Sequence, residues 1–163
     1  MIKKTILVLI FLLCFFKSNS QNYDKIAIEI LKQVEGLRLT KYKDSKHKYA
    51  IGYGHVLLKN EKYTKITKKK ALELLIKDYF KVKKKVVKNF PNLVKHQNKI
   101  ASLCLTTYNL GTKFHHKSLG LLVNKNNNEY GDSLLKYVYA GKKKLRGLQK
   151  RRILEKQLYY LTF

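Results

Sequence analysis

Acidic residues are scarce in this chain. Its 163 residues carry ten Asp and Glu against 36 Lys and Arg, a formal charge of +26 at pH 7. Such a balance excludes a cationic partner and asks for a polyanion. Cysteine is equally rare, with Cys14 in an apolar N-terminal segment and Cys104 far downstream. If the first segment is removed, one thiol remains, so an internal disulfide is excluded and stability must come from packing. No Cys or His cluster has metal-ligand spacing, and His115-His116 is a bare pair, so neither a metal nor an organic cofactor is expected. No apolar run approaches the ~20 residues a membrane-spanning helix needs. The run from Ile6 to Phe16 holds only eleven.

That short run has its own meaning. Lys3 and Lys4 precede it, and Lys17 and the small polar residues Ser18, Asn19 and Ser20 follow. Basic, apolar and small-polar in that order is the pattern of a secretory signal, with cleavage expected after Ser20 and a retained anchor as the alternative. A large residue, Leu13, before Cys14 argues against lipid attachment. Residues 21 to 163 make one domain, large enough for a core of its own. The protein is therefore expected to be secreted or periplasmic, and a monomer. Export argues against nucleic acid as the polyanion and favours anionic cell-surface polymers. The runs Lys68 to Lys70, Lys83 to Lys85 and Lys142 to Lys144 read as solvated faces that raise encounter rates and make binding salt-sensitive.

The most informative stretch is Glu35 to His55, EGLRLTKYKDSKHKYAIGYGH. Before it, Ile26, Ile30, Leu31 and Val34 fall on one face of a helix over residues 23 to 34. Gly36 supplies the stop, because glycine accepts the left-handed backbone of a helix C-terminus. From Leu37 the pattern changes to short alternating runs ending at Gly52-Tyr53-Gly54, the signature of a hairpin. A carboxylate, Glu35, thus sits at a helix-to-hairpin junction, and a second, Asp44, stands near the hairpin turn. Two carboxylates facing one cleft are what glycoside hydrolysis requires. Val34, Leu37 and the helix C-terminus oppose ionisation of Glu35, whereas Lys43, Ser45 and Lys46 favour a charged Asp44, which splits the acid and base roles. By spacing alone, a capping or solvated glutamate and an ordinary turn aspartate are the simpler reading, because two acids nine apart are common in any chain.

The ordered spacing resembles the active-site segment of phage-type lysozymes, the endolysins that cleave bacterial peptidoglycan. Their pattern is Glu, eight residues, Asp or Cys, five residues, Thr, then Ile-Gly-Tyr-Gly-His. Here Glu35 and Asp44 match, Ile51-Gly52-Tyr53-Gly54-His55 matches, and Ala50 stands where the family has threonine. The resemblance implies an α+β, lysozyme-like fold: a small N-terminal lobe with a β-hairpin or three-stranded sheet, and a larger all-helical C-terminal lobe. It implies a glycoside hydrolase acting between N-acetylmuramic acid and N-acetylglucosamine. Glu35 would be the general acid. Asp44 would either aim water or act as a nucleophile. The family threonine holds that water, which Ala50 cannot do. Three alternatives stand open: a substitute hydroxyl on Ser45, Thr40 or Tyr49, direct use of Asp44 as nucleophile, or a protein that only binds the wall.

The remaining chain is helical. Thr67 reads as the N-cap of a helix using Ala71, Leu74, Leu75, Tyr79 and Val82. His55 is more plausibly a structural ion-pair partner, with Asp78 as its candidate, than a catalytic base. After Pro91, residues 93 to 108 read as a buried central helix in which Cys104 is a core residue. It ends at Tyr108 and Asn109, which the resemblance implies face the sugar. Ser118, opening a further short helical run, is the third candidate substrate-binding residue. Residues 124 to 128 read as a polar loop, and residues 129 to 139 as a helix with Tyr130, Leu134, Leu135 and Val138 inward. A last helix over residues 145 to 161 carries the stripe Leu145, Leu148, Ile153, Leu154 and Leu158. A stripe like that serves a core or, less simply, a membrane-disrupting helix. One of Arg151 and Arg152 is expected to approach Glu35.

Overall fold

The structure, a computed structural model, describes residues 23 to 44, 47 to 111 and 129 to 161. It opens with α1 (Tyr23–Glu35), which buries Ile26, Ala27, Ile30 and Leu31 as the apolar spacing requires. Three antiparallel strands follow in the order β1 (Arg38–Lys43), β2 (Tyr49–Gly52), β3 (His55–Val56). Tyr42 pairs with Ala50 and Lys43 with Tyr49, while Ala50 on its other side pairs with Val56. The hairpin is thus extended to a three-stranded sheet, one of the two forms anticipated.

The long helix α2 (Lys68–Asn89) joins the two halves of the molecule. Its start is capped as expected, the Thr67 hydroxyl accepting the Lys70 backbone N–H at 3.1 Å. Its first turns supply Ala71 and Leu74 to a small core beneath the sheet, with Ile51 and Ile66. Its later turns supply Leu75, Tyr79 and Val86 to the main helical core. Phe90, immediately before Pro91, cannot continue the helix because the proline ring disfavours helical backbone in the preceding residue. A 3-10 turn (Pro91–Leu93) then leads into α3 (Gln97–Leu110). The central helix therefore begins at Gln97 rather than at residue 93, and Val94 is exposed on the corner that the chain turns. From Ile100 to Thr107 every residue of α3 is buried, as suits a helix surrounded by others.

The helix expected over residues 129 to 139 is much shorter. It is α4 (Glu129–Ser133), followed by a 3-10 turn (Leu134–Lys136) and a small hairpin of β4 (Tyr139–Ala140) with β5 (Lys143–Lys144). Leu135 consequently faces solvent, whereas Tyr130, Leu134 and Val138 are buried. Beyond Lys136 the chain leaves helical backbone, Tyr137 standing at φ −96° and ψ 55°, and Arg152 Nε donates to the Tyr137 carbonyl at 3.1 Å, satisfying one of the acceptors that a helix end leaves open. The closing helix, α5 (Arg146–Tyr160), packs on α3. Its inward face holds Leu154 and Leu158 as expected, but Ile153 is exposed and Arg151, Arg152 and Glu155 are buried instead. With that face covered by α3, the stripe serves the core. Ser118, the run after it and the loop 124 to 128 lie outside the described residues.

Candidate active site

Glu35 is the last residue of α1, and Gly36, at φ +70°, lets the chain leave the helix toward β1. One carboxylate oxygen, Oε1, accepts a hydrogen bond from Arg151 Nη1 at 2.6 Å. The other, Oε2, lies against Gly54: a Cβ built there would stand 3.5 Å from it. Gly54 has φ +84°, so it turns the chain between β2 and β3 in a conformation that L side chains rarely adopt. The helix end, the glycine turn and the last helix thus converge on one carboxylate. Val34 and Leu37 are not its whole environment, because α5 brings a guanidinium to the end of α1.

Behind Arg151 lies a chain of alternating charge. Arg151 Nε donates to Glu155 Oε1 at 3.0 Å, and Arg152 Nη1 donates to Glu155 Oε2. Arg152 Nη2 donates to Asn109 Oδ1 at 2.5 Å. Thr106 Oγ1 adds a hydrogen bond to Glu155 at 3.1 Å, and Arg151 Nη2 donates to the Leu105 carbonyl at 3.1 Å. Glu155 and Arg152 are 0% exposed. Two guanidiniums and two carboxylates neutralise one another along this chain, and the hydrogen bonds replace lost water, which is what makes such burial tolerable. Of the two arginines offered by the sequence, Arg151 is the one at Glu35.

Asp44 follows β1 directly and shapes the turn to β2. Its Oδ1 accepts the Lys48 backbone N–H at 2.8 Å, its carbonyl accepts from His47 N at 3.0 Å, and its own N–H donates to Lys48 O at 2.8 Å. His47 takes a left-handed backbone, φ 58°, to close the turn. Asp44 is therefore a turn residue in its backbone whatever its carboxylate does. Tyr42 connects the two acids. Burial raises the pKa of its phenol, the Arg38 guanidinium opposes that, and the charges of both Glu35 and Asp44 raise it further. Only a group within electrostatic reach of both carboxylates is pushed by both. Arg38 sits 4.5 Å from the centre of the Tyr42 ring. Tyr42 is also the cross-strand partner of Ala50, so its side chain shares a sheet face with the methyl of Ala50, which is buried.

Tyr108 and Asn109 close α3 near the same place. The Tyr108 hydroxyl donates to the Tyr53 carbonyl at 3.3 Å, tying α3 to the β2–β3 turn. Burial raises its pKa, and the charges of Asp78 and Glu35 add to this. Its ring lines a groove of about 420 Å³ with Gly54, Val56, Leu58 and Gly111. Gly54 is the residue that groove and Glu35 share. Asn109 has its amide oxygen held by Arg152, which leaves its orientation set by the buried charges.

His55 is structural in its contacts. Nδ1 lies 2.6 Å from Asp78 Oδ2 and Nε2 lies 2.9 Å from Glu61 Oε2. Its pKa is raised, chiefly by the Asp78 hydrogen bond and also by Glu61, against the effect of burial. Cys104 is fully buried, and burial pushes its thiol up to about 12. Among the described residues no group of three His, Cys, Asp or Glu is disposed to hold a metal ion.

Three participants escape a linear reading. Glu61 and Tyr42 become neighbours of His55 and the acids only through the sheet. Glu155 had a visible signal, since Arg151 and Arg152 precede it by four and three positions and a helix brings all three to one face.

The sequence model of the family described as Phage lysozyme matches residues 32–155. No curated protein matches the chain by sequence. Among solved structures, the muramidase domain of SpmX from Asticaccaulis excentricus is 25% identical, with a TM-score of 0.72, covering 88% of this chain and all of that one. The endolysin from the Escherichia coli O157:H7 phage FAHEc1 is 25% identical, with a TM-score of 0.71, covering 87% of this chain and 95% of its own. A mutant P22 lysozyme is 29% identical, with a TM-score of 0.66 and coverage of 82% and 94%.

Proposed function

The chain belongs to the phage lysozyme family and is a lysozyme-type peptidoglycan hydrolase, and from that premise we propose that it cleaves the β-1,4 bond between N-acetylmuramic acid and N-acetylglucosamine with Glu35 as general acid and Asp44 as second carboxylate. The observation that carries the assignment is the convergence on Glu35 of Arg151 from the last helix and of Gly54 from the sheet turn. In this reading Glu35 gives its proton to the glycosidic oxygen. Arg151 holds the carboxyl in place, and Glu155 shares the arginine's charge. Asp44 stabilises positive charge developing on the sugar ring and helps aim water at the opposite face.

Ala50 offers no hydroxyl for that water. Of the substitutes suggested by the sequence, Ser45 lies outside the described residues. Thr40 is bridged to Lys65 on the far edge of β1, and Tyr49 points into a separate groove. Tyr42 fits better, because it is the cross-strand partner of Ala50 and the charges of both acids act on its phenol. Tyr108 and Asn109 are read as sugar contacts, the ring packing on a pyranose and the amide nitrogen donating to an N-acetyl carbonyl. Ser118 remains part of the same proposal.

Replacing Glu35 with Gln is expected to lower reducing-end release from purified peptidoglycan by about 10² to 10⁴-fold while leaving the circular dichroism spectrum intact. Undiminished release would end the assignment. The alternative, a wall-binding protein without turnover, predicts sedimentation with sacculi and no reducing ends from the wild type either. Removal of residues 1 to 20 on export completes the proposal. N-terminal sequencing of the exported protein should begin at Gln21, and an intact Met1 would refute it.

A further inference from the structure

The sheet lobe carries a second concavity. After β3, residues 57 to 65 arch away and return along β1. Leu57 N donates to Tyr49 O at 2.9 Å at one end, and Lys41 N to Thr64 O at 2.9 Å and Ile66 N to Leu39 O at 2.8 Å at the other. Midway, the Glu61 carboxylate accepts from Leu58 N and meets His55 Nε2, both at 2.9 Å. Arch and sheet enclose a groove of about 780 Å³. Its framework is held by backbone bonds and is preorganised for a ligand.

Two features define what that ligand must be. Lys41, Lys48, Lys59 and Lys62 line the groove, and its one acidic side chain, Glu61, is already engaged by His55 and Leu58. Between the lysines, Tyr49, Val56 and Leu58 are 49%, 41% and 51% exposed, and Lys41 Nζ lies 4.7 Å above the Tyr49 ring. A phosphodiester polymer would use the lysines and leave the apolar surface wet. A bare glycan would cover the tyrosine and leave the lysines unanswered. A short acidic peptide with small apolar side chains uses both. Val56 and Leu58 also line the groove that reaches Gly54 and Tyr108, so the two concavities lie side by side and share a wall.

We propose that this groove binds the acidic peptide attached to a peptidoglycan strand while the strand itself lies at the candidate active site, an inference that rests on the hydrolase reading. The test pairs Lys59→Gln with Lys62→Gln and, as a control of equal charge change, Lys84→Gln with Lys88→Gln on α2. On peptide-bearing peptidoglycan the groove variant should show KM raised about tenfold, the scale of two exposed ion pairs, with the control within twofold of wild type. On glycan stripped of its peptides by an amidase, groove variant and wild type should coincide. Equal losses on both substrates, or equal losses in groove variant and control, would overturn the proposal. So would a loss that requires phosphodiester polymers on the wall and disappears once they are removed.

A binding readout separates this inference from its premise. The soluble peptide released by the amidase, titrated into the wild-type protein, should shift the NMR ring signals of Tyr49 and of Tyr63, which also lines the groove, and should not do so in the groove variant. Unshifted rings in a protein that still cleaves peptidoglycan would refute the groove alone. Shifted rings in a protein that releases no reducing ends would refute the hydrolase reading and leave the groove standing.

Discussion

The sheet lobe and the helical lobe handle charge in opposite ways. In the sheet lobe the basic residues stay in water: Lys41, Lys43, Lys48 and Lys59 are exposed, and the small core beneath is Ile51, Ile66, Ala71 and Leu74. In the helical lobe two arginines and a glutamate are drawn inside and joined to Glu35. The choice of residue follows the task. Guanidinium is planar, offers five donors and is weakly hydrated, so it can be buried with several acceptors at once. Ammonium holds water strongly and suits a surface that attracts an anionic wall. Among the described residues of the sheet lobe, the buried His55 with its partners Asp78 and Glu61 ties that lobe to α2 rather than to the site.

The contrast can be broken most forcefully at Glu155. Glu155→Gln leaves Arg151 and Arg152 buried without their shared carboxylate, and should cost about 3–5 kcal/mol of stability, read from urea denaturation. A cost below 1 kcal/mol would mean that water reaches the arginines. His55→Gln in the sheet lobe should cost less, about 2–3 kcal/mol, the worth of its charge-assisted hydrogen bonds.

The same histidine makes a prediction about pH. Its pKa lies above the ordinary 6.5 in the folded protein, so its contribution is complete below pH 6.5 and is lost as pH rises through the raised value. The Tm difference between wild type and His55→Gln should shrink over that interval. A difference that grows with pH would contradict the ion-pair geometry. The smallest expected effect is on rate. Tyr42→Phe should lower kcat about tenfold, the scale of one hydrogen bond, and Ala50→Thr added to it should restore most of the loss. No change in Tyr42→Phe would remove Tyr42 from the water's surroundings.

Legibility differed along the chain for physical reasons. α1, its glycine stop and the Thr67 cap are local features, written in spacing and side-chain chemistry within a turn or two. The ordered run from Glu35 to His55 carried the candidate acids and the partnership of His55 with α2. Beyond Gln97 local rules weakened. The carbonyl left open where the helix stops, that of Tyr137, is met by Arg152, fifteen positions on. The inward face of α5 includes charges that a hydrophobic stripe cannot reveal, and Ile153 faces out although it is apolar.

By itself the sequence determined the α+β class, the end of the first helix, the two acids and their spacing, and the excess of positive charge, because each depends on neighbours in the chain. The tertiary structure decided which arginine meets Glu35, that Tyr42 stands beside Ala50, and that Glu155 links Arg151 to Asn109 through Arg152. Those contacts join residues up to 116 positions apart. They exist only because α5 folds back on α3 and the sheet closes over α2, and no local propensity encodes such a meeting.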